Sequence, residues 1–319
     1  MDISIVIPLF NEEESLPELC SWIKQVADSK GYSYEIILVD DGSRDNSWNV
    51  VKKLSEENKN IRGISFQRNY GKAAALHVGF QAARGEIVVT MDADLQDNPE
   101  EIPEMIRMIR EDGYDLVSGW KKVRHDPVLS KNLPSKLYNY TTKKMTKIKL
   151  HDMNCGLKAY KKQVIKSIEV YGDMHRFIPV LAKWAGFKKI GEKVVKHQER
   201  KYGTTKFGIE RFIRGPLDLI SVMFISKFGK RPMHFFGVLG VLMFLIGFLA
   251  ALWVGIVKIY ALKHGVRMAL VTDNPYFYIA LTSMIIGTQL FMAGFIADIV
   301  SRNSQDRNNY QIAEKTNEN

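Results

Sequence analysis

The apolar runs Ile3 to Leu9, Tyr34 to Val39, Ile61 to Gln67 and Gly85 to Met91 each stop abruptly at polar side chains, and the segments between them carry helical spacing. That spacing predicts helices from Asn11 to about Lys30, from Arg44 to about Asn58, from Ala73 to Arg84 and from Glu100 to Glu111. Asn11 is the expected N-cap of the first, with Glu12, Glu13 and Glu14 in its opening turn, where acids suit the helix dipole. Asp115 to Gly119 reads as a further short strand and Lys188 to Gln198 alternates like one, with helices expected from Lys161 to about Val170 and from His175 to near Gly186. Strands alternating with helices imply an α/β domain built on a parallel, doubly wound sheet. In such a sheet the strand ends line one crevice, which is where ligands collect.

The pattern changes in the last third of the chain. Phe235 to Val257 and Pro275 to Ala297 each run without a charged side chain and exceed the roughly 20 residues a helix needs to cross a bilayer. Before them, residues 206–232 place apolar side chains among Arg211, Arg214, Asp218 and Lys227, as in a helix lying in the membrane interface. Ser130 to Lys147 mixes aromatics with lysines in a similar way. The expected organisation is a catalytic domain over 1–205, interfacial helices over 206–232, two transmembrane helices with their loop over 233–301, and a polar, disordered tail over 302–319. The opening Met1 to Pro8 reads as a strand, so no cleavable signal peptide is expected.

Charge and cysteine content narrow the class. A net charge of +10 would suit nucleic acid, but no binding motif accompanies it and the basic residues thicken toward the membrane-proximal half. Anionic headgroups and phosphorylated substrates account for that distribution more simply. Lys227, Lys230 and Arg231 before the first span and Arg302 after the second favour a multi-pass protein with its catalytic domain in the cytoplasm, although Lys258, Lys263 and Arg267 lie in the connecting loop. Cys20 and Cys155, the only cysteines, suggest no disulfide framework. A homo-oligomer is compatible with all of this.

The chemistry concentrates in Thr90-Met91-Asp92-Ala93-Asp94-Leu95-Gln96-Asp97, at the end of a buried strand. Alternation points Asp92 and Asp94 the same way, with Gln96 next if the chain stays extended, and this hard oxygen set suits Mg²⁺ or Mn²⁺ carrying a phosphate. A second strand end, Asp40-Asp41, offers Asp41 to a base N–H or a ribose hydroxyl, with Pro8 to Glu12 as a neighbouring wall. Lys72, at a helix start, reads either as a positive charge beside phosphates or as an exposed helix lysine. Two spans without an ionisable centre look like an anchor, and anchoring makes sense if the acceptor is a lipid phosphate. Arg124, Arg200 and Lys206 lie in basic loops able to meet that phosphate, and Asp152 is a candidate for orienting the acceptor. A phosphate monoester is already anionic at pH 7, so no strong general base is needed.

Together, Ser4 to Glu13, Val39 to Ser43, Arg68-Asn69-Tyr70-Gly71-Lys72, Asp92 to Asp97, Cys155-Gly156-Leu157-Lys158-Ala159 and Gly203-Thr204-Thr205-Lys206 resemble the family 2 glycosyltransferases. Within them the chain is similar to the polyprenyl-phosphate members, of the dolichol-phosphate mannose synthase or bactoprenol type. The resemblance implies a GT-A fold and inverting transfer of a single sugar from a nucleotide-diphosphate sugar, UDP-sugar favoured over GDP-mannose, to a membrane polyprenyl phosphate. By it, Pro8, Phe10, Glu12 and Asp41 would meet the nucleoside, Asp92, Asp94 and Gln96 the metal and diphosphate, and Arg124, Arg200 and Lys206 phosphates. Many members carry Gly-Asp-Phe-Arg-Leu where this chain has Asn154 to Lys158. The alternatives are a processive polysaccharide synthase, for which a Gln-x-x-Arg-Trp motif and further spans are missing, and a membrane-tethered nucleotide-sugar scaffold without activity.

Overall fold

The computed structural model describes residues 1–122, 148, 150–172, 174–202, 232–267, 269–303 and 312–316. In it the apolar runs are β1 (Ile3–Leu9), β2 (Tyr34–Asp40), β3 (Ile61–Phe66) and β4 (Ile87–Thr90), joined by β5 (Leu116–Trp120), β6 (Lys158–Lys161), β7 (Ile190–Val194) and β8 (Ile312–Lys315) in one eight-stranded sheet of order β7-β5-β6-β4-β1-β2-β3-β8. Every residue of β1, β2, β3 and β4 is buried, because a parallel sheet is covered on both faces. The helices that cover it are α1 (Leu16–Ser29), α2 (Ser47–Glu57), α3 (Lys72–Ala82), α4 (Ile102–Arg110), α5 (Lys162–Lys166) and α6 (Ile178–Trp184). In α1 the buried stripe is Leu16, Leu19, Cys20, Ile23 and Ala27, and in α4 it is Ile102, Met105, Ile106 and Ile109, both at helical spacing.

The sheet is mostly parallel, as expected, with antiparallel pairing in two places. β6 lies antiparallel between β4 and β5, and β8 pairs antiparallel with the edge strand β3. Residues 312–316 are thus an ordered edge strand and its end rather than part of a disordered tail, with Thr316 N–H donating to the Gly63 carbonyl at 2.8 Å. This pairing covers the otherwise open polar edge of β3. Asn11 does not cap α1: the helix begins at Leu16, and Asn11 adopts a left-handed φ of 54° with its side chain turned to the next loop.

Order along the sheet positions the site. The chain leaves β1 toward β2 and β3, then returns with β4 on β1's other side, so a topological switch point lies between β1 and β4. Thr90 pairs with Val6 there, and Met91 N–H donates to the Val6 carbonyl at 3.3 Å. The ends of β1, β2 and β4 therefore open into one crevice.

A second compact unit, Ser221–Asp306, contains α7 (Pro232–Lys263) and α8 (Pro275–Asn303). Both are long and apolar enough to span a bilayer, and they display Leu249, Trp253, Ile279 and Ile296 outward, each more than half exposed. They pack on glycine: a Cβ on Gly240 would lie 2.6 Å from the Gly287 carbonyl oxygen, and one on Gly287 would lie 2.6 Å from the Phe244 nitrogen. Ser283 adds a hydroxyl bond to the Met243 carbonyl at 2.9 Å. Residues 206–231 and Ser130 to Lys147, read as amphipathic, lie outside the described residues.

Candidate active site

The loops after β1, β2 and β3 are stitched together by their own polar side chains. Asn11 N–H donates to Ser43 Oγ at 2.9 Å, while Arg44 N–H donates to Asn11 Oδ1 at 2.8 Å. Glu12 N–H donates to Ser47 Oγ at 2.9 Å. Asp40 accepts the Ser43 N–H at 3.0 Å and the Ser65 hydroxyl at 3.2 Å, a structural duty. Asp41 reaches the third loop: its carboxylate accepts the N–H groups of Tyr70 at 2.7 Å and Gly71 at 2.9 Å. Gly42 makes this approach feasible, since it has φ of 69° and a Cβ there would fall 2.5 Å from the Arg68 carbonyl carbon. Burial pushes the Asp41 carboxyl up to about 6, opposed by the two amides and reinforced by Asp40. Pro8 is buried within β1 opposite Val39, and Phe10 is half-buried beyond the strand end.

After β4 the chain turns rather than staying extended. Leu95 takes a left-handed φ of 59°, so Gln96 is presented by a turn and not by strand alternation. Asp92, Asp94 and Gln96 are half-buried while Met91, Ala93, Leu95 and Asp97 are buried, so the three oxygen-bearing side chains are the ones left accessible. Gly156 backs Asp92 so closely that a Cβ there would meet its carboxylate at 2.6 Å. Burial alone would raise the Asp92 carboxyl, but the ammonium groups of Lys72 and Lys121, with Lys158, overcome it and hold the group at about 2. Lys72 forms a direct ion pair with Asp92 Oδ1. Asp94 has the opposite fate: burial, then repulsion from Asp92 and Asp97, push it up to about 6.

Four further groups belong to this cluster; of them, the resemblance implies only Lys158, on the acceptor side. Asp97, wholly buried, pairs with Lys121 at 2.8 Å and accepts the Asp92 N–H at 3.2 Å. Lys158, in β6 beside Thr90, donates to the Cys155 carbonyl, and burial lowers its ammonium. His175 lies on a 3-10 turn, Met174–Phe177, that packs on α3. Burial, with the cations Lys72, Arg176 and Lys158, drives its imidazole well below the ordinary range, and its buried Nδ1 has no hydrogen-bond partner among the described residues. Position was the available signal for two of them: Lys121 directly follows the end of β5, and Lys158 opens the antiparallel strand at the same edge.

The segment after β7 crosses these strand ends. Asp97 and His197 form an antiparallel bridge, and Gln198 N–H donates to the Gln96 carbonyl at 3.0 Å. Arg200 then pairs with Glu12 at 2.5 Å, and Lys201 with Glu18 at 2.7 Å. Two residues expected at opposite ends of the reaction, Glu12 toward the nucleoside and Arg200 toward a phosphate, are thus in contact. Asp152 is 1% exposed, with Oδ1 accepting the Asn154 N–H at 3.1 Å. Its loop is held by Glu192, which accepts the N–H groups of His151 and Asp152 at 2.7 and 2.9 Å. Arg124 and Lys206 lie outside the described residues.

A divalent ion fits the acidic turn in a specific sense. Among the described residues no group of three or more His, Cys, Asp or Glu side chains converges as a complete metal cage. Asp92, Asp94 and Gln96 are a partial hard-oxygen set of the kind Mg²⁺ or Mn²⁺ uses when a diphosphate and waters supply the remaining ligands. Burial first, and then repulsion from Asp92 and Asp97, raise Asp94, and a cation there would offset both.

Comparison with known proteins identifies the family and the fold. Residues 4–169 match the family model described as glycosyl transferase family 2. The chain is 37% identical to a dodecaprenyl-phosphate galacturonate synthase of Rhizobium johnstonii over 95% of its length and 88% of that protein's. It is 36% identical to an undecaprenyl-phosphate 4-deoxy-4-formamido-L-arabinose transferase of Shewanella sediminis over 94% of its length and 87% of that protein's. Its fold is similar to that of glucosyl-3-phosphoglycerate synthase from Mycobacterium tuberculosis, solved with Mn²⁺, UDP-glucose and phosphoglyceric acid, at a TM-score of 0.54 and 17% identity over 70% of this chain and 79% of that one. The sheet is the mostly parallel, mixed sheet of a GT-A-type Rossmann fold. A strand-end acidic turn at the switch point, the family match and these two long alignments lead to one assignment: the chain belongs to glycosyl transferase family 2 and is a glycosyltransferase.

Proposed function

We propose that this enzyme moves a single sugar from a nucleotide-diphosphate sugar, UDP-linked in preference to GDP-linked, onto a membrane polyprenyl phosphate with inversion at the anomeric carbon. The observation that carries the reading is the acidic turn Asp92-Ala93-Asp94 at the switch point of a chain that also bears two membrane-length helices. The relatives named for dodecaprenyl-phosphate and undecaprenyl-phosphate substrates support the acceptor, and the Mn²⁺ and UDP-glucose in the structural neighbour support the donor. In this reading the catalytic domain is cytoplasmic, as the lysines and arginines flanking the spans suggest.

The laced loops form the nucleoside wall: Phe10 and Glu12 border it, Asp41 holds the Tyr70–Gly71 backbone against it, and Pro8 supports it from within β1. Asp92, Asp94 and Gln96 would hold Mg²⁺ or Mn²⁺, which when bound offsets charge on the departing diphosphate. Lys72 stands at the start of α3, where helix amides and its ammonium suit the same anion. The acceptor phosphate oxygen attacks the anomeric carbon as the bond to the donor diphosphate breaks, and the nucleoside diphosphate leaves. The acceptor is already anionic, so no residue has to remove a proton; buried Asp152 shapes its loop through Asn154. Arg200 is held by Glu12 at the nucleoside wall, which leaves the lipid phosphate to Arg124 and Lys206 in this reading. Purified full-length enzyme incubated with Mn²⁺, polyprenyl phosphate and a panel of labelled nucleotide sugars tests this. One sugar per extracted lipid is expected from at least one donor. Label in no lipid from any donor, or a polymer in its place, refutes the proposal.

A further inference from the structure

Three carboxylates, Asp92, Asp94 and Asp97, share a turn with several ammonium groups, but those cations are not equivalent. Lys121 is locked against Asp97, with side chains 12% and 0% exposed. Lys158 is buried and donates to the Cys155 carbonyl. Lys72 alone among the described residues pairs directly with the Asp92 carboxylate, and both side chains keep about a third of their surface open, 34% and 32%. Its flexible stem starts at the first residue of α3, beside Gly71, where the chain enters the helix with φ of 96°. We infer that Lys72 is a resident stand-in cation, which occupies Asp92 in the free enzyme and is displaced from it when a divalent ion arrives together with the donor diphosphate.

The inference rests on the reading of the acidic turn as a metal and diphosphate site and adds an order to it. A divalent ion entering alone must compete with Lys72 for Asp92 and leaves an ammonium beside a new double charge. Entering with a diphosphate, it brings the anion that Lys72 turns to, because the helix start carrying that lysine is itself suited to phosphate. Metal and nucleotide binding are then strongly coupled, and each raises the affinity for the other by the same factor. Lys72 is the positioning residue that sets the coupling.

The test is Mn²⁺ binding to purified full-length enzyme, read by the electron paramagnetic resonance of free Mn²⁺, with and without UDP. For the wild type we expect weak binding alone and much tighter binding with UDP. Lys72→Met should bind Mn²⁺ without UDP about tenfold more tightly than the wild type, the scale of one partly exposed ion pair removed from competition. Lys72→Arg should behave like the wild type, and adding Asp92→Asn to Lys72→Met should abolish the gain. Unchanged or weaker Mn²⁺ affinity in Lys72→Met, or a gain that survives Asp92→Asn, overturns the inference while Mn²⁺ binding with UDP leaves the metal reading standing. Absence of Mn²⁺ binding in every variant, with or without UDP, overturns both.

Discussion

Gly156→Ala is a perturbation aimed at one carboxylate. A methyl group at 156 would lie 2.6 Å from Cγ and Oδ2 of Asp92 and 2.7 Å from Oδ1, with no backbone atom among its nearest neighbours. Gly156 is not in the left-handed region, so alanine is accepted by the main chain, and the Thr90 hydroxyl bond to the Gly156 carbonyl at 2.9 Å can persist. The carboxylate must retreat from 2.6 Å to the 3.4 Å of ordinary contact, about 0.8 Å. Asp92 is a third exposed and has room to move, so stability should change by less than about 1 kcal/mol. Catalysis should not be spared, since a displacement near 1 Å in a positioned group costs about 10² in rate, or about 2.7 kcal/mol. The assay is transfer of labelled sugar to extractable lipid at saturating donor, beside a thermal melt of the same preparation. Asp92→Ala removes the atoms that clash, so the double variant should be no slower than Asp92→Ala alone, a non-additivity of about the full effect. A Gly156→Ala rate within threefold of the wild type, or losses that simply add, would show that the position of Asp92 does not matter to turnover.

Other expectations follow from the same contacts. Asp94→Ala should lower turnover by about 10² or more with little change in melting temperature, measured by the same lipid-transfer assay. Asp41 has a folded value of about 6 against an ordinary 3.8, so the fold favours its protonated form: this group adds stability below about pH 4 that is lost as pH rises through about 6. Asp41→Asn should flatten that part of the stability-against-pH curve by about 2 to 3 kcal/mol in denaturant titrations, and an unchanged slope would contradict the shift. Glu35→Ala should cost about 3 to 5 kcal/mol, because it strands Arg62, only 10% exposed and 2.7 Å from its partner, whereas Glu35→Gln keeps a hydrogen bond and should cost less in the same titration. Gly287→Leu should separate the paired spans and lower the melting temperature in detergent, since even a Cβ meets the Phe244 backbone at 2.6 Å.

What the sequence made legible was whatever has one dominant physical cause. Continuous apolar runs become β1 to β4 because parallel strands are buried on both faces, and the acids that stop them mark the crevice. The accessible trio Asp92, Asp94 and Gln96 was found by alternation, yet Gln96 reaches its place through the left-handed turn at Leu95, which no period of two describes. β6 stays hidden because its four residues, Lys-Ala-Tyr-Lys, look like solvent-facing chain; Lys158 is buried there with its ammonium donating to the Cys155 carbonyl. β8 stayed hidden because a polar tail gains a partner only when the edge of β3 exists to receive it. Asn11 looked like a cap because it precedes acids, but its amide oxygen serves Arg44 in the next loop. Such cross-loop bonds join residues about thirty apart, so local sequence cannot announce them.

The cations of the site were the least legible, and Lys72 shows why. A lysine at the first position of a helix opposes the helix dipole, an arrangement that propensity alone disfavours. The cost disappears once Asp92 is brought beside it from another strand, and then the same placement leaves an ammonium at a helix end that attracts phosphate. A motif search centred on acids finds the groups that would grip a metal but not the groups that keep those acids ionised before it arrives. Without Lys72, Lys121 and Lys158, burial would raise Asp92 as it raises Asp94, and one of the two carboxylates would surrender its charge. The acidic turn can therefore present one carboxylate held ionised and one near its titration point only because basic side chains from α3, β6 and the end of β5 converge on it.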